Sequence, residues 1–549
     1  MSKADKIFFG GTIVTMDPMR PTVEAIAITG DKISAVGTLA EVEALSGANT
    51  LRENLRGNTL MPGLFESHTH ALWGACRDLF EVYVGYTASL RDIEAAVKKR
   101  AQELSKDTWV SGGPWRHDML RHIDMTPRDW LDRIAPEHPV ALFDTTQHSL
   151  WCNSKALMMS GLEDGAADVP GGVIEKDGAG RLTGFLAEAA CAPVRHNLRW
   201  TAAQLDQACS YAAQYFNSLG YTAFKEPMAD REVLETYARA CDNGTMTLHL
   251  GAHISAFSPI TDETLSIETI CGLRREFTRP GMNLNFSKLF LDGVAPAYTA
   301  SFLQPYVARP GYAPEDHNPN ATLLLPPEEL AEIVTEHDAY GFCVKMHAVG
   351  DNAARKGLDA IAAARAKNGQ SGLRHEIAHC TFISDEDLSR FAALNAVAEV
   401  SPKLWMPNAA TLAQAVALGK ERLSQVHRIK SLLESGADVI FGTDWPASAP
   451  DANPWSGLSG MITRRDVSGV FGGSVAPDEA VSLEEALPLF TTNPARALGL
   501  AGRSGQVEEN SFADYIILKG DLLSQSPEEI FATEVQRTVF KGNAVYEAA

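Results

Sequence analysis

The sequence predicts an α/β protein: a (β/α)8 TIM barrel with a long insertion after its first strand, and a small β-sandwich domain formed by both chain termini. Three observations predict it. Both ends of the chain read as short strands cut by turn residues. The middle alternates apolar runs with amphipathic helices, about eight times over. The residues able to do chemistry fall at the ends of those runs, where a barrel of parallel strands carries its site.

The N-terminal strands are "KIFFGGTIVTM", "AIAITGDKISAVG" and "NTLMPGLF", with a Gly-Asp hairpin signal in "TGDKI". "ADYIILKGD" and "RTVFKGNAVYEA" give the C-terminal strands. Neither end buries enough by itself, so residues 1–60 and 501–549 are assigned to one β-sandwich domain. Residues 61–500 are assigned to the barrel. Its first strand is "LMPGLFESHTH". An insertion over about residues 74–200 follows and reads as strands, turns and a short helix. From Thr201 the alternation sets in: "TAAQLDQACSYAAQYFNSLG" is an amphipathic helix closed by Gly, and "YTAFKEP" is the next strand. "TLHLGAHI", "NLNFSKLFLDG", "FCVKMHAVG", "RHEIAHC", "AVAEVSP" and "DVIFGTDW" continue the series. An open doubly wound sheet would place a Gly-rich turn after its first strand, and none is present.

A net charge of -21 argues against nucleic-acid and anionic-membrane partners. The eight cysteines form no CxxC pair and read as thiols of a reducing compartment. The N-terminus lacks the apolar core of a signal peptide. A cytoplasmic protein acting on a small molecule, as a homodimer, is the expectation.

His68 and His70 stand one residue apart, and alternate residues of a strand share a face. Two imidazoles side by side suit a metal ion, although a chance pair on a wet loop looks the same. The later strand ends add Lys288, His347, His379 and Asp444. Any one strand histidine is more often a packing residue; accidents at four strand ends multiply to a small chance. Lys225 and Lys345 are weaker candidates, with Lys345 read as a structural ion pair.

This ordered set resembles the amidohydrolase superfamily, in the branch of YtcJ-like proteins and N-substituted formamide deformylase (amidohydrolase family 3). The likeness runs over nearly the whole chain through "PGLFESHTH", "TQHSLWCNSKAL", "GGVIEKDGAGRLTGFLAEAA", "KLFLDG", "HAVGD", "RHEIAHC", "GTDWP" and "ALPLFTTNPARALGL". The resemblance implies a metal-dependent hydrolase of a C–N bond other than a peptide bond, in an amide or N-substituted formamide. It implies a divalent metal, one ion or two, with Zn²⁺ as the expected species, held by His68, His70, His347, His379 and Asp444. Such an ion lowers the pKa of water from about 15.7 to about 7. Asp444 then serves as proton shuttle. Lys288 either carries CO2 as a carbamate bridging two ions, or pairs with Asp292 or the substrate. Alternatives on the same scaffold are a lyase, decarboxylase or isomerase, or a hydrolase of a carbamate, cyclic amide or ester.

Trp115, His148, Glu188, His253 and Trp445 are the candidate substrate contacts. His148 is also a candidate catalytic residue, with a hold on the insertion's own backbone as the other reading. The branch carries an acidic residue before the strand-six histidine where this chain has Ala378, which leaves the partner of His379 open.

Overall fold

Eight parallel strands close into a barrel in chain order. They are β1 (Leu64–Glu66), β2 (Tyr221–Ala229), β3 (His249–Ser255), β4 (Met282–Phe290), β5 (Cys343–Ala348), β6 (Glu376–His379), β7 (Val397–Val400) and β8 (Asp438–Phe441). The expected (β/α)8 fold is therefore the observed one. The computed structural model describes the chain apart from residues 1–2, 86–87, 145–148, 168, 170–171, 259–262, 310–311, 402–404 and 448. The strands are short and nearly all buried, because a parallel sheet is covered on both faces. Helices such as Ala202–Ser218 and Arg231–Asp242 return the chain between them. Asp230 caps the latter by accepting the Val233 N–H.

The barrel closes between its first and last strands. Ser67 N–H donates to Phe441 O at 3.0 Å, and Asp444 N–H donates to His68 O at 2.6 Å. Gly442 lies at this seam, and a Cβ there would stand 2.5 Å from the His68 Cβ and 2.6 Å from its backbone nitrogen. Only glycine allows so close an approach.

Both termini meet in one eight-stranded sheet. Thr59–Pro62 pairs with Tyr515–Leu518, joining the N-terminal strands to the C-terminal ones. Phe8, Ile13, Ile26, Leu60, Tyr515 and Val539 form its core. Pro62 ends a strand of this sheet two residues before β1 begins.

Residues 72–209 form a second compact unit around a six-stranded sheet. This unit is more helical than the sequence reading supposed. Leu90–Glu103 is a helix with a capping box between Ser89 and Asp92, and it buries Ile93 and Val97 one turn apart. Trp115, Trp130 and Trp151 anchor the core of the unit. Among the described residues no helix is long and apolar enough to cross a membrane.

Candidate metal centre

His68 and His70 follow the end of β1, where the backbone stays bonded to both neighbours. Thr69 N–H donates to Lys225 O at 3.2 Å on one side, and His70 N–H to Trp445 O at 2.8 Å on the other. Strand-like alternation thus persists beyond Glu66 and turns both imidazoles the same way. Their Nε2 atoms lie 3.6 and 3.5 Å from a single atom, Asp444 Oδ1. Behind each ring stands a buried carboxylate: Glu399 Oε1 is 2.5 Å from His68 Nδ1, and Glu226 Oε1 is 3.4 Å from His70 Nδ1. A carboxylate at Nδ1 keeps the proton there and leaves Nε2 with its lone pair for an ion.

Burial, together with Lys288 and Lys345, holds the His68 pKa well below the usual imidazole range. At His70 burial also pulls downward, but the hydrogen bonds of Asp444 and Glu226 outweigh it and push the pKa up to about 9.

His379 and His347 complete the ring cluster. The His379 ring centroid is 4.8 Å from that of His68 and 4.5 Å from that of His347. Ser401, just past β7, meets His379 Nδ1 at 2.6 Å and supplies the partner that Ala378 does not. His347 stacks on Phe290 and turns Nε2 toward Gly293 O at 3.2 Å. Burial lowers the pKa of His347 to about 4 and that of His379 well below the imidazole range, so both are neutral at pH 7. His379, Cys380 and Asp444 have φ of 73°, 41° and 51°. Such left-handed conformations in non-glycine residues cluster at functional sites.

Two sets of donor atoms each fit within 4.8 Å among the described residues: His68, His70 and Asp444; and His68, His379 and Glu399. The second already contains the closed His68–Glu399 hydrogen bond. The first leaves two imidazole nitrogens and one carboxylate oxygen converging. That donor set fits a divalent ion of the zinc type.

Lys288 is buried on β4, its Nζ 4.8 Å from the Phe290 ring centre. It forms no ion pair with Asp292. That carboxylate accepts backbone N–H groups of Ser301, Val349 and Gly350 at 2.9–3.0 Å instead. Burial and the neighbouring Lys345 charge bring the Lys288 pKa down to about 7. Below the rings lies a layer of paired charges. Lys225 pairs with Glu376, and Lys345 pairs with both Glu376 and Glu399.

His253 is fully buried and faces this layer, with Nδ1 3.0 Å from Glu226 O and Nε2 3.7 Å from Glu376 Oε2. Trp445 is fully buried, packed on Tyr215 and Phe216. Trp115 is a core residue of the second unit, giving its indole N–H to Leu142 O at 2.8 Å. Glu188 is an exposed residue ending the strand Leu182–Glu188, with φ of 52°. His148 lies outside the described residues.

Three acids escaped the sequence reading: Glu66, Glu226 and Glu399. Glu66 Oε1 accepts the N–H of His68 at 2.9 Å and of Thr443 at 2.7 Å, tying together the two segments that carry the ligands. The available signal was an acid inside an otherwise apolar strand, as in "AVAEVSP".

The amidohydrolase family model matches residues 53–546. The chain belongs to the amidohydrolase family. It is 26% identical to the putative amidohydrolase YtcJ of Bacillus subtilis, over 98% of this chain and 99% of that one. The N-substituted formamide deformylase of Arthrobacter pascens is 25% identical, over 99% and 98%. An Arabidopsis thaliana relative, the protein LONG AFTER FAR-RED 3, is 26% identical over 99% and 92%. An uncharacterized metal-dependent hydrolase of Pyrococcus horikoshii shares the fold, with a TM-score of 0.74 at 23% identity over 98% and 99%.

Proposed function

We propose that the chain is a metal-dependent hydrolase that opens the C–N bond of an amide or N-substituted formamide. The convergence of His68 Nε2 and His70 Nε2 on Asp444 Oδ1, with a carboxylate behind each ring, carries this reading. His68, His70 and Asp444 would hold the ion, with His379 and His347 beside them and zinc as the expected species. When bound, such an ion polarises a carbonyl and makes water acidic enough to attack at neutral pH.

The chain supplies the rest. Glu399 and Glu226 fix the imidazole tautomers. Asp444 takes the proton of the attacking water and returns it to the leaving nitrogen, so the amine departs neutral. Lys288, with its pKa near 7, is partly the free amine at neutral pH. Only that form adds CO2 to give a carbamate and a proton, which supports Lys288 as a carboxylated ligand of a second ion. The formamide class is supported by the likeness to the Arthrobacter deformylase.

The test is Asp444→Asn, assayed on N-formyl, N-acyl and carbamate compounds with added Zn²⁺. A fall in turnover of about 10²- to 10⁴-fold is expected for loss of a proton shuttle. Near-full activity would sink the hydrolytic scheme and favour a lyase or isomerase on the same barrel.

A further inference from the structure

We infer that Lys345 and Glu399 are positioning residues for His68, one gripping its backbone and both fixing its ring. The inference rests on the metal-binding role proposed for His68. Lys345, from β5, reaches across the barrel interior and donates to Ser67 O at 2.7 Å, the peptide carbonyl immediately before His68. The same ammonium pairs with Glu399 of β7. Glu399 in turn accepts a hydrogen bond from His68 Nδ1 at 2.5 Å through its other oxygen. One cation therefore holds His68 twice: at the chain entering it, and at the carboxylate that sets its ring. All three side chains are at most 1% exposed, so water competes for none of these bonds.

The arrangement is asymmetric between the two histidines. Glu226 reaches His70 at 3.4 Å and divides itself among the Ala71 N–H, the Tyr237 hydroxyl and the ring. No lysine ion pair to Glu226 occurs among the described residues. His68 is thus the histidine of the pair whose carboxylate partner is itself held by a lysine. A metal ligand held by a carboxylate that is itself held loses little entropy on binding.

The layer contains an internal control. Glu376 also pairs with Lys345, at 3.2 Å, and is as buried as Glu399, but its recorded partners are Lys225, Lys345 and His253, not His68. Glu399→Gln and Glu376→Gln each remove one carboxylate from the same lysine and leave the layer one charge short.

The experiment compares these two variants and wild type by Zn²⁺ affinity in chelator competition, by the visible spectrum of the Co²⁺ form, and by melting of the metal-free protein. Glu399→Gln is expected to weaken Zn²⁺ binding by about 10- to 100-fold, the range for losing the partner of a ligand histidine. It should also shift the Co²⁺ bands. Glu376→Gln should melt earlier yet bind Zn²⁺ like wild type. Glu399→Asp keeps the charge but shortens the arm, so it separates position from folding. It should lose affinity as Glu399→Gln does. Equal weakening in the Glu399→Gln and Glu376→Gln proteins would reduce Glu399 to a structural residue and overturn the inference. So would wild-type affinity in Glu399→Asp. A wild-type protein that binds neither ion would instead overturn the metal-centre reading beneath it.

Discussion

Lowering the pH from 9 to 7 should weaken binding of a divalent ion to the metal-free protein by about 50-fold. The competitor is the proton on His70, whose pKa stands at about 9. An imidazole must be neutral to ligate. At its pKa about half the molecules are neutral and two pH units below only about one in 100, a ratio corresponding to about 2.3 kcal/mol of binding energy. His68, His347 and His379 are already neutral at pH 7 and release nothing. The slope should therefore be about one decade per pH unit with one proton released. Chelator competition from pH 6.5 to 9.5 reads the slope, and calorimetry in two buffers of different ionisation enthalpy counts the proton. The sign also fixes stability. His70 has its pKa raised on folding, so its contribution is full below about 6.5 and is lost as the pH climbs through 9. A flat affinity between pH 7 and 9 would refute the assignment of His70 as a ligand clamped by Asp444 and Glu226.

Gly442→Ala should drive a methyl into His68 and abolish stoichiometric metal binding, read by elemental analysis, while circular dichroism still reports a folded barrel. A metal-replete variant would contradict the seam geometry. Asp338→Asn should cost about 3–5 kcal/mol in urea unfolding, because it strips the buried Arg365 of its ion-pair partner and leaves His375 facing a neutral oxygen in place of a carboxylate. Asp338 has its pKa lowered by His375, Ser371 and Asn368 despite burial, so its contribution is present above the unfolded carboxylate pKa and fades as the solution is acidified below it. Trp115→Ala should destabilise the second unit by about 3–5 kcal/mol as a core truncation. Unchanged melting of that unit with a raised KM would instead favour Trp115 as a substrate contact.

The barrel was legible because alternation of apolar runs and helices is a long-range pattern repeated eight times, and no single boundary decides it. The histidines were legible for a simpler reason: each ends a strand, and strand ends of such a barrel face one mouth. Their partners were harder to read. Glu399 sits one residue before the end of β7, and nothing local says that it reaches His68, 331 positions earlier. The partner of His379 was sought beside it in the chain, at position 378, whereas Ser401 supplies it from just past the end of the neighbouring strand. Asp292 follows Lys288 by four residues, which suggested a pair; the backbone of two loops claimed the carboxylate first. Cross-strand partnership is set by register, and register is a property of the folded sheet.

The seam between β1 and β8 gives the site a place in time. Asp444 emerges from synthesis 376 residues after His68. Until β8 docks, the histidine pair is an unfinished fragment with no third donor. An ion that needs all three can select only chains that have already closed, adding about 2.7 kcal/mol to that state when its free concentration is 100 times its Kd. Metal supply would then favour finished molecules over half-assembled ones.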